Sequence, residues 1–447
     1  MSERILRLGI AGLGRAFTIM LPTFVADPRV RLVAAADPRA DARERFTGEF
    51  GGNAYATVEE LCSDPDVEVV YVATPHQHHA DNACTAAMRG KHVLVEKPMA
   101  IALADCHAMI AAARAAGVHL IVGHSHSFNA PIRRTHEIIA SGAAGAVRMI
   151  SAFNYTDFLY RPRRPEELDT AQGGGVMFNQ AAHQIDVVRL LGGGRVRGVR
   201  AMTGAWDLAR PTEGAYSAFL SFEGGAAATA VYSGYAHFDS DEFCDWIGEL
   251  GAPKDRGRYG AARRALRELA SPADEIGLRT ALAYGRADTG ATTRPAGERW
   301  YPHFGVVIVS CERADLRPLP NGVMVYADDA KRLDPLPRPQ IQRSEVIDEL
   351  YDAVVHGRPP LHSGELFFRV QLRSEIVLRA RLFGVHLLLS SVAHALLQGQ
   401  IVSHPEDPSF QVRPRLPPPQ VLEQRKKHLL DDLFPVVQGQ PQRGHIT

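Results

Sequence analysis

The run Gly9-Ile10-Ala11-Gly12-Leu13-Gly14-Arg15-Ala16-Phe17 follows a short apolar segment and precedes a helical stretch. Glycines at such a junction permit a tight turn and let backbone N–H groups approach a pyrophosphate at the positive end of the helix, which is the chemistry of dinucleotide binding. Asp37 closes the next apolar segment 23 residues beyond Gly14, near the spacing of about 20 at which a carboxylate meets the adenosine ribose. It would accept hydrogen bonds from both ribose hydroxyls and repel a 2′-phosphate, so the expected cofactor is NAD; Arg39, two residues on, leaves NADP possible. Phe17 stands where the pattern has Gly or Ala, so helix and strand must pack there by other means. The expected cofactor contacts of this stretch are Gly12, Gly14, Arg15, Ala16, Phe17, Asp37 and Arg39.

A second stretch with chemical potential is Tyr155-Thr156-Asp157-Phe158-Leu159-Tyr160-Arg161-Pro162-Arg163-Arg164-Pro165-Glu166-Glu167. Arg161, Arg163 and Arg164, stiffened by two prolines, suit bidentate recognition of carboxylates; a surface loop ion-paired to Glu166 and Glu167 fits the same residues. The run Ser233-Gly234-Tyr235-Ala236-His237 follows another apolar segment and could add polar contacts. Tyr155 and His237 therefore join the arginines as candidates for holding an anionic small molecule.

These residues need elements to position them. Residues 6–11, 31–36, 67–73, 92–96 and 119–122 read as brief buried strands, with helical segments such as 39–50 and 102–116 between them. That alternation predicts an α/β domain over 1–125, a doubly wound parallel sheet of the Rossmann type. After about residue 125 the runs 147–153, 196–203, 217–222 and 226–233 predict an α+β domain over 126–365 with a mostly antiparallel open sheet, Glu223-Gly224-Gly225 forming a hairpin turn. Residues 252–299 read as a solvated, Arg- and Ala-rich insertion, helical over 259–269. Residues 366–447 read as a divergent, partly disordered C-terminal extension.

The whole-chain figures bound the function. With 447 residues, 45% hydrophobic and 22% charged, the chain is no disordered tail, fibre or disulfide mini-protein. Fifty basic residues against fifty acidic ones leave no field to attract nucleic acid or an anionic membrane. Five scattered cysteines without a C-x-x-C pair, a start without a signal-peptide core, and the lack of an apolar run of about 18 to 20 residues predict a cytoplasmic protein.

Three further stretches combine with the glycine-rich run: Ala73-Thr74-Pro75-His76-Gln77-His78-His79, Gly90-Lys91-His92-Val93-Leu94-Val95-Glu96-Lys97-Pro98, and Gly173-Gly174-Gly175-Val176-Met177-Phe178-Asn179-Gln180-Ala181-Ala182-His183-Gln184-Ile185-Asp186. Together, over roughly residues 5 to 365, the chain resembles the glucose-fructose oxidoreductase, inositol dehydrogenase and rhizopine-catabolism (Gfo/Idh/MocA) family of nicotinamide-dependent oxidoreductases. The resemblance implies that Lys97 and His183 face a substrate carbinol beside the nicotinamide. It implies a homo-oligomer, dimer or tetramer, built on the open sheet. Asn179 stands where the family has aspartate and Ala181 where it has glycine, which places a carboxylate proton relay in doubt; Asn179 stays a catalytic-site candidate that could hold substrate or orient a neighbour. Thr74, Pro75, His79, Glu96 and Lys97 are then cofactor-wall residues. A metal site at His76, His78 and His79 is not expected, because no acidic or cysteine partner accompanies them at zinc-like spacing.

The chemistry agrees with that assignment. Oxidising a secondary alcohol needs hydride departure and removal of the hydroxyl proton by a base of near-neutral pKa, a role for His183, with Lys97 as the cation that stabilises the alkoxide and shares the proton. His124 and His126, at the domain crossover, are substrate candidates or structural residues. Within the family the chain looks most like the members that oxidise phthalate 4,5-cis-dihydrodiol to 4,5-dihydroxyphthalate with NAD. The alternatives are a sugar or polyol dehydrogenase of the inositol type and a non-catalytic NAD(P)-binding regulatory protein.

Overall fold

The protein is described here by a computed structural model covering residues 4–286 and 299–365. The expectation for 366–447 and the last part of the insertion fall outside the described residues. The first sheet comprises β1 (Leu6–Ala11), β2 (Val30–Ala36), β3 (Asn53–Tyr55), β4 (Val69–Val72), β5 (His92–Val95) and β6 (Leu120–Val122). They are parallel, in the order β3-β2-β1-β4-β5-β6. Both faces of such a sheet are covered, so β4 is four consecutive buried residues and β1 is buried throughout except for the partly exposed Arg7.

Helices α1 (Arg15–Ala26), α2 (Ala40–Phe50), α3 (Val58–Ser63), α4 (His79–Met88) and α5 (Leu103–Ala116) supply the crossovers. Two apolar clusters result. One joins Ile10, Phe17, Phe24 and Tyr71; the other joins Val70, Val72, Ala83 and Met109 on the opposite face.

After α6 (Ala130–Ala140) the chain builds a second sheet. Its first strands are β7 (Val147–Tyr155), β8 (Val196–Gly204), β9 (Ala215–Phe222) and β10 (Ala227–Ser233), with α7 (Ala182–Leu191) between β7 and β8. Helices α8 (Ala261–Arg267) and α9 (Pro272–Thr280) come next, then β11 (Val306–Cys311), β12 (Ala314–Leu319), β13 (Gly322–Ala327) and β14 (Lys331–Pro335). The order is β14-β13-β12-β11-β7-β10-β9-β8, antiparallel at every step but β7–β10. The turn expected at 223–225 closes the β9–β10 hairpin, with Gly225 at φ +88°. Ile132, Ile185, Val188 and Leu191 from α6 and α7 cover one face. The other face is open: Met149, Phe219, Ile308 and Met202, the last 78% exposed, point outward from it.

Two features differ from the sequence expectation. Helix α10 (Ser344–His356) returns to the first sheet, where Val346, Ile347 and Leu350 join the cluster around Ile10. The insertion is not simply solvated. Its residue Tyr284 is buried against Phe17, ring to ring at 5.3 Å, because helix α1 presents an aromatic where most such helices present a small residue.

Candidate active site

The strand order reverses between β1 and β4, and a cleft of about 370 Å³ opens at the carboxyl ends of the strands there. That falls within the roughly 300 to 1,000 Å³ of a small-molecule pocket, at the switch point where such sheets bind ligands. Its wall includes Gly12, Gly14, Arg15 and Ala16 from the glycine loop, Asp37 and Arg39 from the end of β2, and Thr74 and Pro75 from the end of β4. Gly12 has φ +95°, and a side chain there would meet the Ala73 carbonyl oxygen at 2.9 Å, so only glycine lets the loop lie this close. The glycine loop therefore lies close against the end of β4, with Gly12 and Gly14 both in the cleft wall. Asp37 Oδ2 accepts from the Leu13 N–H at 2.8 Å, which ties the carboxylate to that loop.

Three of the expected cofactor residues stand behind the wall. Phe17 is fully buried under Tyr284. Glu96 accepts from the Tyr71 hydroxyl at 2.6 Å. The buried His79 reaches the Pro98 carbonyl at 2.8 Å and the Thr74 carbonyl at 2.9 Å, clipping the two wall segments together. His76 Nδ1 meets the Gly173 carbonyl oxygen at 3.0 Å. Among the described residues no cluster of three or more His, Cys, Asp or Glu is placed to hold a metal ion.

Lys97 follows β5 and donates from Nζ to the Asn179 carbonyl oxygen at 2.8 Å. Asn179 lies in a π-helical turn, Met177–Ala181, that feeds α7; such turns recur at functional sites. Its side-chain amide donates to the Gly175 carbonyl at 2.8 Å. An ionised aspartate has no hydrogen to donate and would set oxygen against oxygen, which gives a physical reason for asparagine at this position. Gly175, at φ +74°, admits no side chain because a Cβ would collide with Glu213 and Thr212.

His183 is the second residue of α7, and three residues further the buried Asp186 takes hydrogen bonds from Ser127 and from Arg189, the latter at 2.8 Å. Those bonds fix the helix and hence His183. The His183 ring sits edge-on to His126 at 4.7 Å and beside Phe304 at 5.2 Å, and its Nδ1 is buried without a hydrogen-bond partner. The Asn129 amide donates to His126 Nδ1 at 2.9 Å, leaving the proton of neutral His126 on Nε2. Asn129 Oδ1 accepts from His124 Nε2 at 3.2 Å, and His124 stacks on Phe128 one layer behind.

Burial, with Arg163 and Arg279 adding to it against Glu96, brings Lys97 down to about 8. Burial and then the Lys97 charge hold His183 well below the ordinary histidine value. His126 and His124 are depressed in the same way, burial first and Arg343 next.

The arginine loop divides. Arg163 is buried, lies 3.7 Å over the Phe158 ring and donates to the Phe158 carbonyl at 2.8 Å, while its Nε has no partner. Burial brings it down to about 9 despite Glu167. Arg161 pairs with Asp157 at 3.0 Å and Glu249 at 3.4 Å. Arg164 lines the cleft beside Glu166 at 2.9 Å. Arg15 is lowered by burial and then by Arg279 and Arg161, so these cations share one region. Tyr155 turns toward Phe238 at 6.0 Å, and the exposed His237 does not line the cleft.

Arg279, Thr280 and Ala283 complete the cleft wall from the insertion, which the sequence reading treated as solvated. The missed signal was Ser271-Pro272-Ala273-Asp274, a capping box with proline at the first helical position, which marks the ordered start of α9.

Comparisons with known proteins agree with this geometry. The oxidoreductase family model with an NAD-binding Rossmann fold, Gfo/Idh/MocA, matches residues 6–124, and the Gfo/Idh/MocA C-terminal domain matches 132–252. The chain is 50% identical over 361 residues to a 1-carboxy-3-chloro-3,4-dihydroxycyclohexa-1,5-diene dehydrogenase of Comamonas testosteroni, covering 80% of this chain and 91% of that one. It is 31% identical over 192 residues to mouse trans-1,2-dihydrobenzene-1,2-diol dehydrogenase, covering 42% and 56%. The crystal structure of a candidate dehydrogenase from Bordetella bronchiseptica RB50 superposes with TM-score 0.80 at 42% identity, covering 85% of this chain and 99% of that one. The glycine cradle with Asp37, and Lys97 beside the α7 segment that carries His183, thus sit in a chain that belongs to the Gfo/Idh/MocA family of NAD-binding oxidoreductases.

Proposed function

We propose that the protein oxidises a carboxylated cyclohexadiene diol with NAD, and that phthalate 4,5-cis-dihydrodiol, giving 4,5-dihydroxyphthalate, is its substrate. The observation that carries this reading is the buried Arg163, with an unpartnered Nε, in the region where Arg15, Arg161, Arg279 and Lys97 also meet. Arg161 and Arg279 already pair with Asp157, Glu249 and Glu167, so what a neutral sugar would leave unmet is the Arg163 Nε, for which a carboxylate supplies an acceptor. The 50% identical relative is named for a ring that bears a carboxyl group and two hydroxyls.

The bound nicotinamide supplies the hydride acceptor. Lys97, at about 8, has a neutral fraction near neutrality and takes the hydroxyl proton as the carbinol C–H bond delivers its hydride. His183, held neutral, orients the same hydroxyl through a ring nitrogen and keeps a second positive charge away from Lys97. On this reading Lys97 is the proton acceptor, where the residue types favoured His183 with Lys97 sharing the proton. The dienone so formed enolises to the aromatic diol, which draws the reaction forward.

The oligomer expected from the family resemblance would form through the open face of the second sheet, where Met149, Met202, Phe219 and Ile308 are exposed together. The test of the substrate class is the ratio of kcat/KM for a carboxylated dihydrodiol to that for the same ring without its carboxylate. A ratio of about a hundredfold or more that collapses in Arg163→Met supports the proposal; equal rates on both rings refute it.

A further inference from the structure

Two oddities of this chain meet at one point: Phe17 in a fingerprint position that usually holds a small residue, and the insertion between β10 and β11. We propose that Tyr284, carried by that insertion, is a positioning residue that sets the preference for NAD over NADP by holding Arg39 closed on Asp37. This rests on reading the cleft as a dinucleotide site.

Arg39, on the Asp37 carboxylate, has the chemistry to recruit a 2′-phosphate; Arg43 also reaches this end of β2, where it donates to the Asp37 and Pro38 carbonyl oxygens at 2.7 and 2.9 Å. Every nitrogen of the Arg39 guanidinium is already engaged. Nε donates to Asp37 Oδ1 at 3.0 Å, Nη1 to the Tyr284 carbonyl oxygen at 3.1 Å, and Nη2 to the Leu13 carbonyl oxygen at 2.8 Å. The guanidinium is therefore clamped between the end of β2, the glycine loop and the insertion. A 2′-phosphate arriving there meets the Asp37 carboxylate and a cation whose donors face protein oxygens.

The Tyr284 carbonyl can do this only because its side chain is seated. The ring is buried, edge-on to Phe17 at 5.3 Å and tilted against Phe50 at 6.5 Å. Its hydroxyl donates to Glu49 Oε2 at 2.6 Å, and the Arg45 guanidinium lies over the ring at 5.3 Å. Phe17 thus forms the floor of a socket. The other end of the segment is held by Arg279, which donates to Glu167 at 2.8 Å, and by Glu275, which accepts from the Arg163 N–H at 2.8 Å and from Arg210 at 2.7 Å. Held at Glu275 and Arg279 and again at Tyr284, this stretch keeps the carbonyl beside Arg39.

The test is the titration of full-length protein with NADH and with NADPH, followed by nucleotide fluorescence, for wild type, Tyr284→Ala and Arg39→Lys. Wild type should prefer NADH. Tyr284→Ala frees Arg39 and should narrow the preference by about tenfold, through tighter NADPH binding. Arg39→Lys should narrow it similarly, because one ammonium cannot bridge three acceptors; this surface change decides the matter if Tyr284→Ala does not fold. An unchanged ratio in Arg39→Lys or in folded Tyr284→Ala overturns the proposal, as does a wild type that binds both nucleotides equally. A wild type that binds neither overturns the dinucleotide reading beneath it.

Discussion

Replacing Lys97 separates the charge of that residue from its proton. With its pKa brought down to about 8 by burial, about one-tenth of the side chain is neutral one pH unit lower and about nine-tenths one unit higher. If neutral Lys97 accepts the hydroxyl proton, kcat/KM should rise about tenfold from pH ~7 to pH ~9 and level off above. The kcat profile should be displaced to higher pH, because a bound carboxylate offsets the Arg163 and Arg279 charges that help depress Lys97. Lys97→Arg keeps the cation but cannot lose its proton, so it should retain substrate binding while kcat falls by roughly 10² to 10⁴ and the rise near pH 8 disappears. Lys97→Met should lose both. Initial rates of NADH formation across the pH range, for wild type and both variants, give the answer. A flat wild-type profile through this window, or Lys97→Arg turning over at near wild-type kcat, would refute the assignment.

Other consequences follow from the packing around the site. Gly175→Ala sets a side chain against Glu213 and Thr212 at φ +74° and should cost about 1 to 3 kcal/mol in urea unfolding; kcat/KM should drop with it, since the Asn179 turn that receives Lys97 shifts. Glu167 is held down to about 2, Arg279 and Arg163 outweighing the burial that would raise it. A carboxylate depressed on folding stabilises above its unfolded pKa and loses that contribution as pH falls through the folded value. Stability on the order of 3 kcal/mol should therefore fade between pH ~4.5 and ~2 in wild type and be missing from Glu167→Gln, as urea midpoints at both ends would report. Met202→Asp with Phe219→Asp should convert the oligomer to a monomer in light scattering; a wild type that is itself monomeric would contradict the sheet-face interface.

Much of the first sheet could be read from the chain because its strands are buried on both faces and appear as unbroken apolar runs. The bounds of β1 match the expected 6–11, and β2, β5 and β6 are displaced by one residue at one end. The short β3 carries no such run: Asn53-Ala54-Tyr55 is an edge strand with Asn53 exposed and the other two half-buried. In the second sheet β7 to β10 alternate and were legible, whereas β11 to β14 were not. Strand β12 contains Arg317 and Pro318, tolerated because its pairing with β11 covers only Asp315 and Leu316, and β14 is a mostly charged edge.

The site was legible where motif and backbone coincide, at Gly12, Asp37, Lys97 and His183. It was not legible where residues far apart in the chain meet. Arg279 lies 112 residues beyond Glu167, and composition alone made its segment look solvated. Nor could residue type show that His183 would lie beside a cation in a dry pocket, the arrangement on which the proposed assignment of the proton to Lys97 rests.

The central claim is tested most directly by NADH formation from purified protein and NAD, with phthalate cis-4,5-dihydrodiol and 1-carboxy-3-chloro-3,4-dihydroxycyclohexa-1,5-diene offered beside myo-inositol and glucose. The account predicts turnover confined to the carboxylated diols, fastest on the phthalate compound. Turnover only on the polyol or the sugar, or none on any of the four from protein that binds NADH, would contradict it.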